Sequence, residues 1–113
     1  MITIDAQGKT LGRVATAAAR ALLGKNSAAF AKNVVAQDGV TIVNASKIQV
    51  TGTKTRAKTY LRFSGYAGGL RSETYEMLVA RFGHEEAIRR AVKGMLPKNR
   101  LQTPRLKNLT IEK

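Results

Sequence analysis

Residues 1–6 alternate, with Ile2, Thr3 and Ile4 supplying a β-branched run, and Gln7-Gly8-Lys9 ends the segment as a turn, so the chain opens with a strand. From residue 10 the period changes. Leu11, Val14, Ala15, Ala18 and Leu22 fall on one helical face, with Thr10 placed to cap the start and Gly24 to close the end. The alanines on that face let the helix lie close to a sheet. Residues 25–38 are polar and poorly periodic, and Asp38-Gly39 then leads into Val40-Thr41-Ile42-Val43, the unbroken run of a buried central strand. Asn44-Ala45-Ser46-Lys47 reads as a cap and a short helical turn leading to Ile48 and Val50, and residues 51–59 as a surface loop. Tyr60-Leu61-Arg62-Phe63 restores alternation for a third strand, which the flexible stretch Ser64–Gly69 breaks.

Two helices follow. Ser72 is placed to cap the first, whose buried stripe is Tyr75, Leu78, Val79 and Phe82, up to Gly83. Ala87, Ile88, Ala91, Val92 and Met95 form the stripe of the second, up to Pro97, and the junction at Gly83-His84 must be tight. Leu106, Leu109 and Ile111 alternate imperfectly and predict a terminal edge strand. Strands separated by helical segments predict an α/β fold: three layers, α/β/α, around a mainly parallel sheet of about four strands. With 113 residues there is room for one core, so residues 1–113 read as a single domain, without repeat or linker.

Charge changes the picture from fold to partner. Twenty Lys and Arg against seven Asp and Glu give a net charge of +13, on a chain whose 43% hydrophobic content is that of a folded domain and not of a disordered basic tail. The first fifty residues carry six basic and two acidic side chains, a net of +4, which leaves +9 for the remaining sixty-three. Two blocks stand out: Lys54, Arg56, Lys58, Arg62 and Arg71, and then Arg89, Arg90, Lys93, Lys98, Arg100, Arg105 and Lys107, neither interrupted by an acid. Glu73, Glu76, Glu85 and Glu86 fall where the first turns of the two helices are predicted, near exposed N–H groups and the positive dipole end. A solvated charge run is the ordinary reading of any basic stretch. Thirteen uncompensated charges are better matched by a nucleic acid, whose phosphates release counterions on neutralisation. The second helix places Arg89, Arg90 and Lys93 on one exposed side, opposite its apolar stripe. The same pattern would suit anionic lipid, but that face carries no exposed apolar anchors and its own stripe is needed for the core, so no membrane partner is expected.

Several motifs point to chemistry and stop short of it. With no cysteine, disulfides, zinc ribbons and thiolate catalysis are excluded. Gly8-Lys9-Thr10 resembles the end of a phosphate-binding loop, yet Thr3, inside the strand, stands where that loop needs its first glycine, and a turn with an N-cap fits better than an NTPase. Gly65-Tyr66-Ala67-Gly68 matches the bare two-glycine clamp of KH domains, but a strand and not a helix precedes it. Its glycines still permit close backbone approach, and Tyr66 is either a base-stacking ring or an anchor for the loop. His84, the one histidine, lacks a positioned nucleophile or further ligands and is expected to cap or face solvent. No enzyme activity, cofactor, metal or small-molecule substrate is expected. The start lacks a secretory pattern and no apolar run is long enough to span a bilayer, which predicts a soluble, cytoplasmic protein.

Residues 91–101, Ala-Val-Lys-Gly-Met-Leu-Pro-Lys-Asn-Arg-Leu, closely resemble the signature of the ribosomal protein thirteen family of the large subunit. Ile4-Asp5-Ala6 with Leu11-Gly12-Arg13-Val14-Ala15, then Ile42-Val43-Asn44-Ala45 with Lys47-Ile48, Thr51-Gly52 and Lys54, and finally Ser64-Gly65-Tyr66 and Gly68-Gly69-Leu70 match that family in order. The resemblance covers essentially the whole chain. It implies a four-stranded, mainly parallel sheet between helices, and a constituent of the large subunit that binds rRNA, supports assembly and touches neighbouring ribosomal proteins. It also implies that Lys93, Lys98, Asn99 and Arg100 around the Gly94–Pro97 turn, and Lys54, Lys58 and Arg62, face rRNA. The family's usual His and Pro are replaced by Phe63 and Ala67, and its N-terminal lead and His-rich tail are not in this sequence. A regulatory protein that binds an mRNA hairpin through the same face is the alternative, and an organellar ribosome the alternative location.

Overall fold

A computed structural model describes residues 2–28 and 30–113. The elements in chain order are β1 (Ile2–Asp5), α1 (Leu11–Leu23), β2 (Val40–Val43), a 3-10 turn (Ala45–Lys47), α2 (Lys54–Ala57), β3 (Thr59–Phe63), β4 (Leu70–Thr74), α3 (Tyr75–Phe82), α4 (His84–Met95), α5 (Gln102–Lys107) and β5 (Leu109–Ile111). The class is mixed α/β, with β1, β2 and β5 forming a parallel sheet in the order β1-β2-β5. The terminal segment is an edge strand, as its alternation predicts.

Register explains which face is buried. Ile2, Val40 and Leu109 align across the three strands, as do Ile4, Ile42 and Ile111, so one face is wholly aliphatic. Helix α1 covers that face with Leu11, Val14, Ala15, Ala18 and Leu22, all buried, and α4 lies along α1 with Ala87, Ile88 and Val92 buried. Helix α5 touches α1, α4 and β5 from the same side. On the opposite face Thr3, Thr41 and Thr110 align; Thr41, in the central strand, is buried, and Thr3, Asp5 and Thr110 are exposed. Helices α1, α4 and α5 also contact one another.

The mainly parallel sheet has three strands, and two more form a second, smaller sheet. The predicted third strand does form, at Thr59–Phe63, but it pairs antiparallel with Leu70–Thr74 in a separate two-stranded ribbon. Residues 70–74 alternate too weakly to announce a strand on their own, and pairing with β3 is what orders them. The predicted cap at Ser72 is displaced accordingly: Thr74 caps α3, its Oγ1 accepting from the Met77 amide at 3.3 Å. Glu73 thereby lies in β4 and not in a first helical turn, and it pairs with Arg81 at 2.9 Å. Glu76, Glu85 and Glu86 do occupy first turns. The segment 51–59, read as a surface loop, contains α2, and α5 takes Leu106 out of the predicted terminal strand, which begins at Leu109.

Gly83 joins α3 to α4 at φ 81° and ψ −179°, a conformation essentially confined to glycine, so the two helices meet without an intervening loop. At the carboxyl ends of β1 and β2, Asp5 Oδ1 accepts from Asn44 Nδ2 and from the Gln7 amide, each at 2.9 Å. These hydrogen bonds, the Asn44 side chain first, hold the Asp5 carboxyl below its usual range, and Lys9 and Lys47 add to the shift. A depressed folded-state value contributes stability above the unfolded pKa that is lost as pH falls through the folded one. Asp5→Asn is therefore expected to flatten the acid limb of the stability profile, read by urea denaturation at a series of pH values below neutrality. An unchanged acid limb would show that Asp5 is not among the groups that set it.

Candidate nucleic-acid interface

Helix α4 buries one side and presents the other. Its apolar positions fix its rotation against α1, and that rotation leaves Arg89 and Lys93 exposed and Arg90 half-buried beside them. The β3–β4 hairpin stands opposite, and between them runs a groove of about 1000 Å³. Arg62 lines one wall; Arg89, Arg90 and Lys93 line the other; Lys98 and Asn99 close one end, with Gln102 beyond them. Six of the residues singled out in the sequence thus converge from three separate segments. Lys54, Arg56, Tyr66, Arg71, Arg100 and Lys107 are exposed but lie outside the groove. Tyr66 is 79% exposed, which leaves it available for stacking and removes the anchoring alternative.

The cations of the groove are not equivalent. Arg90 Nε donates to Glu86 Oε1 at 3.1 Å, one helical turn away, and its guanidinium lies 5.1 Å from the centre of the Tyr60 ring. Lys58, half-buried, places Nζ 5.6 Å from the same ring. Burial pushes the Tyr60 hydroxyl above its ordinary range, against an opposing pull from Arg90, so the ring stays neutral between two cations. Arg90 and Lys58 are therefore largely committed within the protein. Arg62, Arg89, Lys93 and Lys98 have no ion-pair partner among the described residues. Asn99 is committed to the turn, its Oδ1 accepting from the Leu101 amide at 3.0 Å, and Gln102 Nε2 donates to the Lys93 carbonyl at 2.9 Å, tying α5 to the end of α4.

Arg105 departs from the surface role expected of it. It is 1% exposed, with Nη2 3.4 Å from the Lys32 carbonyl, and Asn108 Nδ2 donates to the Ala36 carbonyl at 3.2 Å. Both hold the irregular segment 30–38 against the rest of the fold. Reading residues 98–108 without a helix leaves every cation there on the surface, whereas α5 turns position 105 inward. Tyr60, Glu86 and Gln102 are the groove residues that sequence reasoning passed over. The Glu86–Arg90 spacing of four and the alternation of Tyr60 with Arg62 were the available signals.

Other motifs resolve into structure. The Gly8 amide donates to the Lys47 carbonyl at 3.3 Å and the Lys9 amide to the Ala6 carbonyl at 3.1 Å, so the loop that resembles a phosphate cradle spends its N–H groups within the chain. Gly65–Gly68 connects two strands of a hairpin, unlike the helix–loop–helix of a KH clamp. His84 opens α4, half-buried, with Nδ1 3.3 Å from the Tyr75 hydroxyl. Among the described residues no group of three His, Asp or Glu converges to hold a metal, and no helix is long and apolar enough to cross a membrane.

Residues 1–112 match the family described as ribosomal protein L13. The chain is 49% identical over 108 residues to the large ribosomal subunit protein uL13 of Moorella thermoacetica, covering 96% of this chain and 74% of that relative. It is 47% identical to the protein of the same name from Rubrobacter xylanophilus, covering 96% and 75%. With that of Symbiobacterium thermophilum the identity is 51% over 98 residues, covering 87% and 68%. A match of this extent, with the signature turn at 94–97 sitting at the end of the basic groove, places the chain in the ribosomal protein L13 family.

Proposed function

We propose that this protein is a structural constituent of the large ribosomal subunit that binds rRNA through the groove between α4 and the β3–β4 hairpin and helps the subunit assemble. The observation that carries the reading is the convergence of Arg62, Arg89, Lys93 and Lys98, none of them ion-paired among the described residues, on one open groove in a member of the L13 family. Surface cations without ion-pair partners among the described residues repel one another in the free protein and are satisfied by a polyanion. The groove is wide and open, which suits a ribose-phosphate backbone and not a small enclosed ligand. Function is placement: the protein neutralises phosphates and holds rRNA segments in a fixed relation, and performs no chemistry. Neighbouring ribosomal proteins are the second class of partner, and the cytoplasmic ribosome is the location. Sedimentation of native lysate at moderate salt tests this directly. The protein is expected to travel with the large subunit, and a predominantly free protein would overturn the reading in favour of regulatory binding to an mRNA.

A further inference from the structure

The β3–β4 hairpin carries two cross-strand pairs next to its turn, of which only Arg62 lines the groove. Arg62 stands directly opposite Arg71, and Phe63 directly opposite Leu70. Because side chains alternate, the arginine pair points to one face of the ribbon and the Phe63–Leu70 pair to the other. Like charges directly opposed across a ladder are destabilising, and both arginines are exposed with no ion-pair partner among the described residues. The apolar pair is equally out of place in a free protein: Phe63 is 66% exposed, Leu70 61%, and Leu61, on the same face, 64%. Tyr66, in the loop at the tip, is exposed as well.

Charge decides what covers this end. From residue 39 to residue 72 the chain has six basic side chains and no acid, so the occupant is anionic. A duplex presents an outer surface of phosphate and sugar, which satisfies the arginines and leaves the ring face unmatched. An unpaired strand supplies both, a phosphate for the two guanidiniums and an unstacked base for the ring. We propose that the hairpin end binds an unpaired segment of RNA, with Arg62 and Arg71 sharing one phosphate and Phe63, backed by Leu70, stacking on a base as the strand passes over the tip. The inference rests on the rRNA-binding reading above and adds the kind of RNA element recognised.

The test uses the full chain and three probes of matched length followed by fluorescence anisotropy: a single-stranded oligoribonucleotide, its perfect duplex, and polyglutamate. Phe63→Ala is expected to weaken single-strand binding about 5- to 150-fold, the range for loss of one stacked base, with duplex binding and the salt slope unchanged. Phe63→Tyr is expected to retain the affinity. Arg71→Ser is expected to lower the salt slope by about 0.7 and to raise the melting temperature of the free protein, because it relieves the repulsion with Arg62. Equal losses on single strand and duplex, no loss for Phe63→Ala, or polyglutamate binding as tight as RNA would each overturn the proposal. Co-sedimentation of the Phe63→Ala protein separates the two levels. A variant that joins the large subunit and binds single strands like the parent sinks this proposal and leaves the ribosomal reading standing, whereas a parent protein that stays free sinks the ribosomal reading itself.

Discussion

Ile88→Ala is expected to destabilise the folded chain by about 2–5 kcal/mol, the cost of deleting a fully buried aliphatic side chain and leaving a cavity. Ile88 is 0% exposed and belongs to the core that joins α4 to α1 and to the aliphatic face of the sheet. A domain of this size has a total stability of roughly 5–15 kcal/mol, so one substitution removes a large share of it. The functional consequence follows from geometry. Arg89 and Lys93 lie on the far side of the same helix, and the groove exists only while α4 is seated. Urea denaturation gives the stability change, and RNA binding measured well below the melting temperature separates loss of fold from loss of charge. A change below about 1 kcal/mol would show that α4 is not seated as described, since surface changes seldom exceed that size.

Neutralising the four free cations together, Arg62, Arg89, Lys93 and Lys98 to Gln, is expected to reduce the salt slope of RNA binding by about three units, at roughly 0.7–0.9 per phosphate contact. At 0.1 M salt that is about a thousandfold loss of affinity, shrinking towards nothing near 1 M, because the released counterions carry the effect. The melting temperature is expected to hold or rise, since all four are exposed and none is ion-paired among the described residues. Arg90→Gln provides the contrast. Its guanidinium is bound to Glu86 and set over Tyr60, so its removal lowers stability while altering the slope less than any of the four. If the quadruple variant kept the parent slope, the groove would not be the RNA surface.

How much of this was legible in the sequence varies with the kind of signal. α1, α4 and β2 announce themselves, because a strong 3.6-residue stripe or an unbroken β-branched run has one good way to be buried. The β3–β4 ribbon was half visible: Tyr60–Phe63 alternates, but Leu70–Thr74 becomes a strand through a partner that only the three-dimensional pairing supplies. Helix α5 is six residues long, contains Pro104 and no strong stripe, and is too short to stand without tertiary contacts. Missing it sent Arg105 to the wrong side of the surface. The basic residues were legible as a class and not as a site. Net charge points to an anionic partner, while only packing shows that Arg90 and Lys58 lie against Tyr60 and that Arg62, Arg89, Lys93 and Lys98 have no ion pair among the described residues.

The open edge of the sheet bears on how the protein behaves before it meets RNA. Among the described residues strand β1 is paired on one side only, by β2, and an edge of this kind offers backbone groups that can recruit another chain. Ile2 and Ile4 are half-buried along that edge and Lys9 is the nearest cation in sequence, so local charge protects it poorly. What keeps two copies apart is the charge of the whole molecule, +13, acting at a distance. That protection is screened by salt within about 10 Å at 0.1 M. Bound RNA replaces it with bulk and a new sign of charge, so colloidal stability passes from self-repulsion in the free chain to its ligand in the assembled particle.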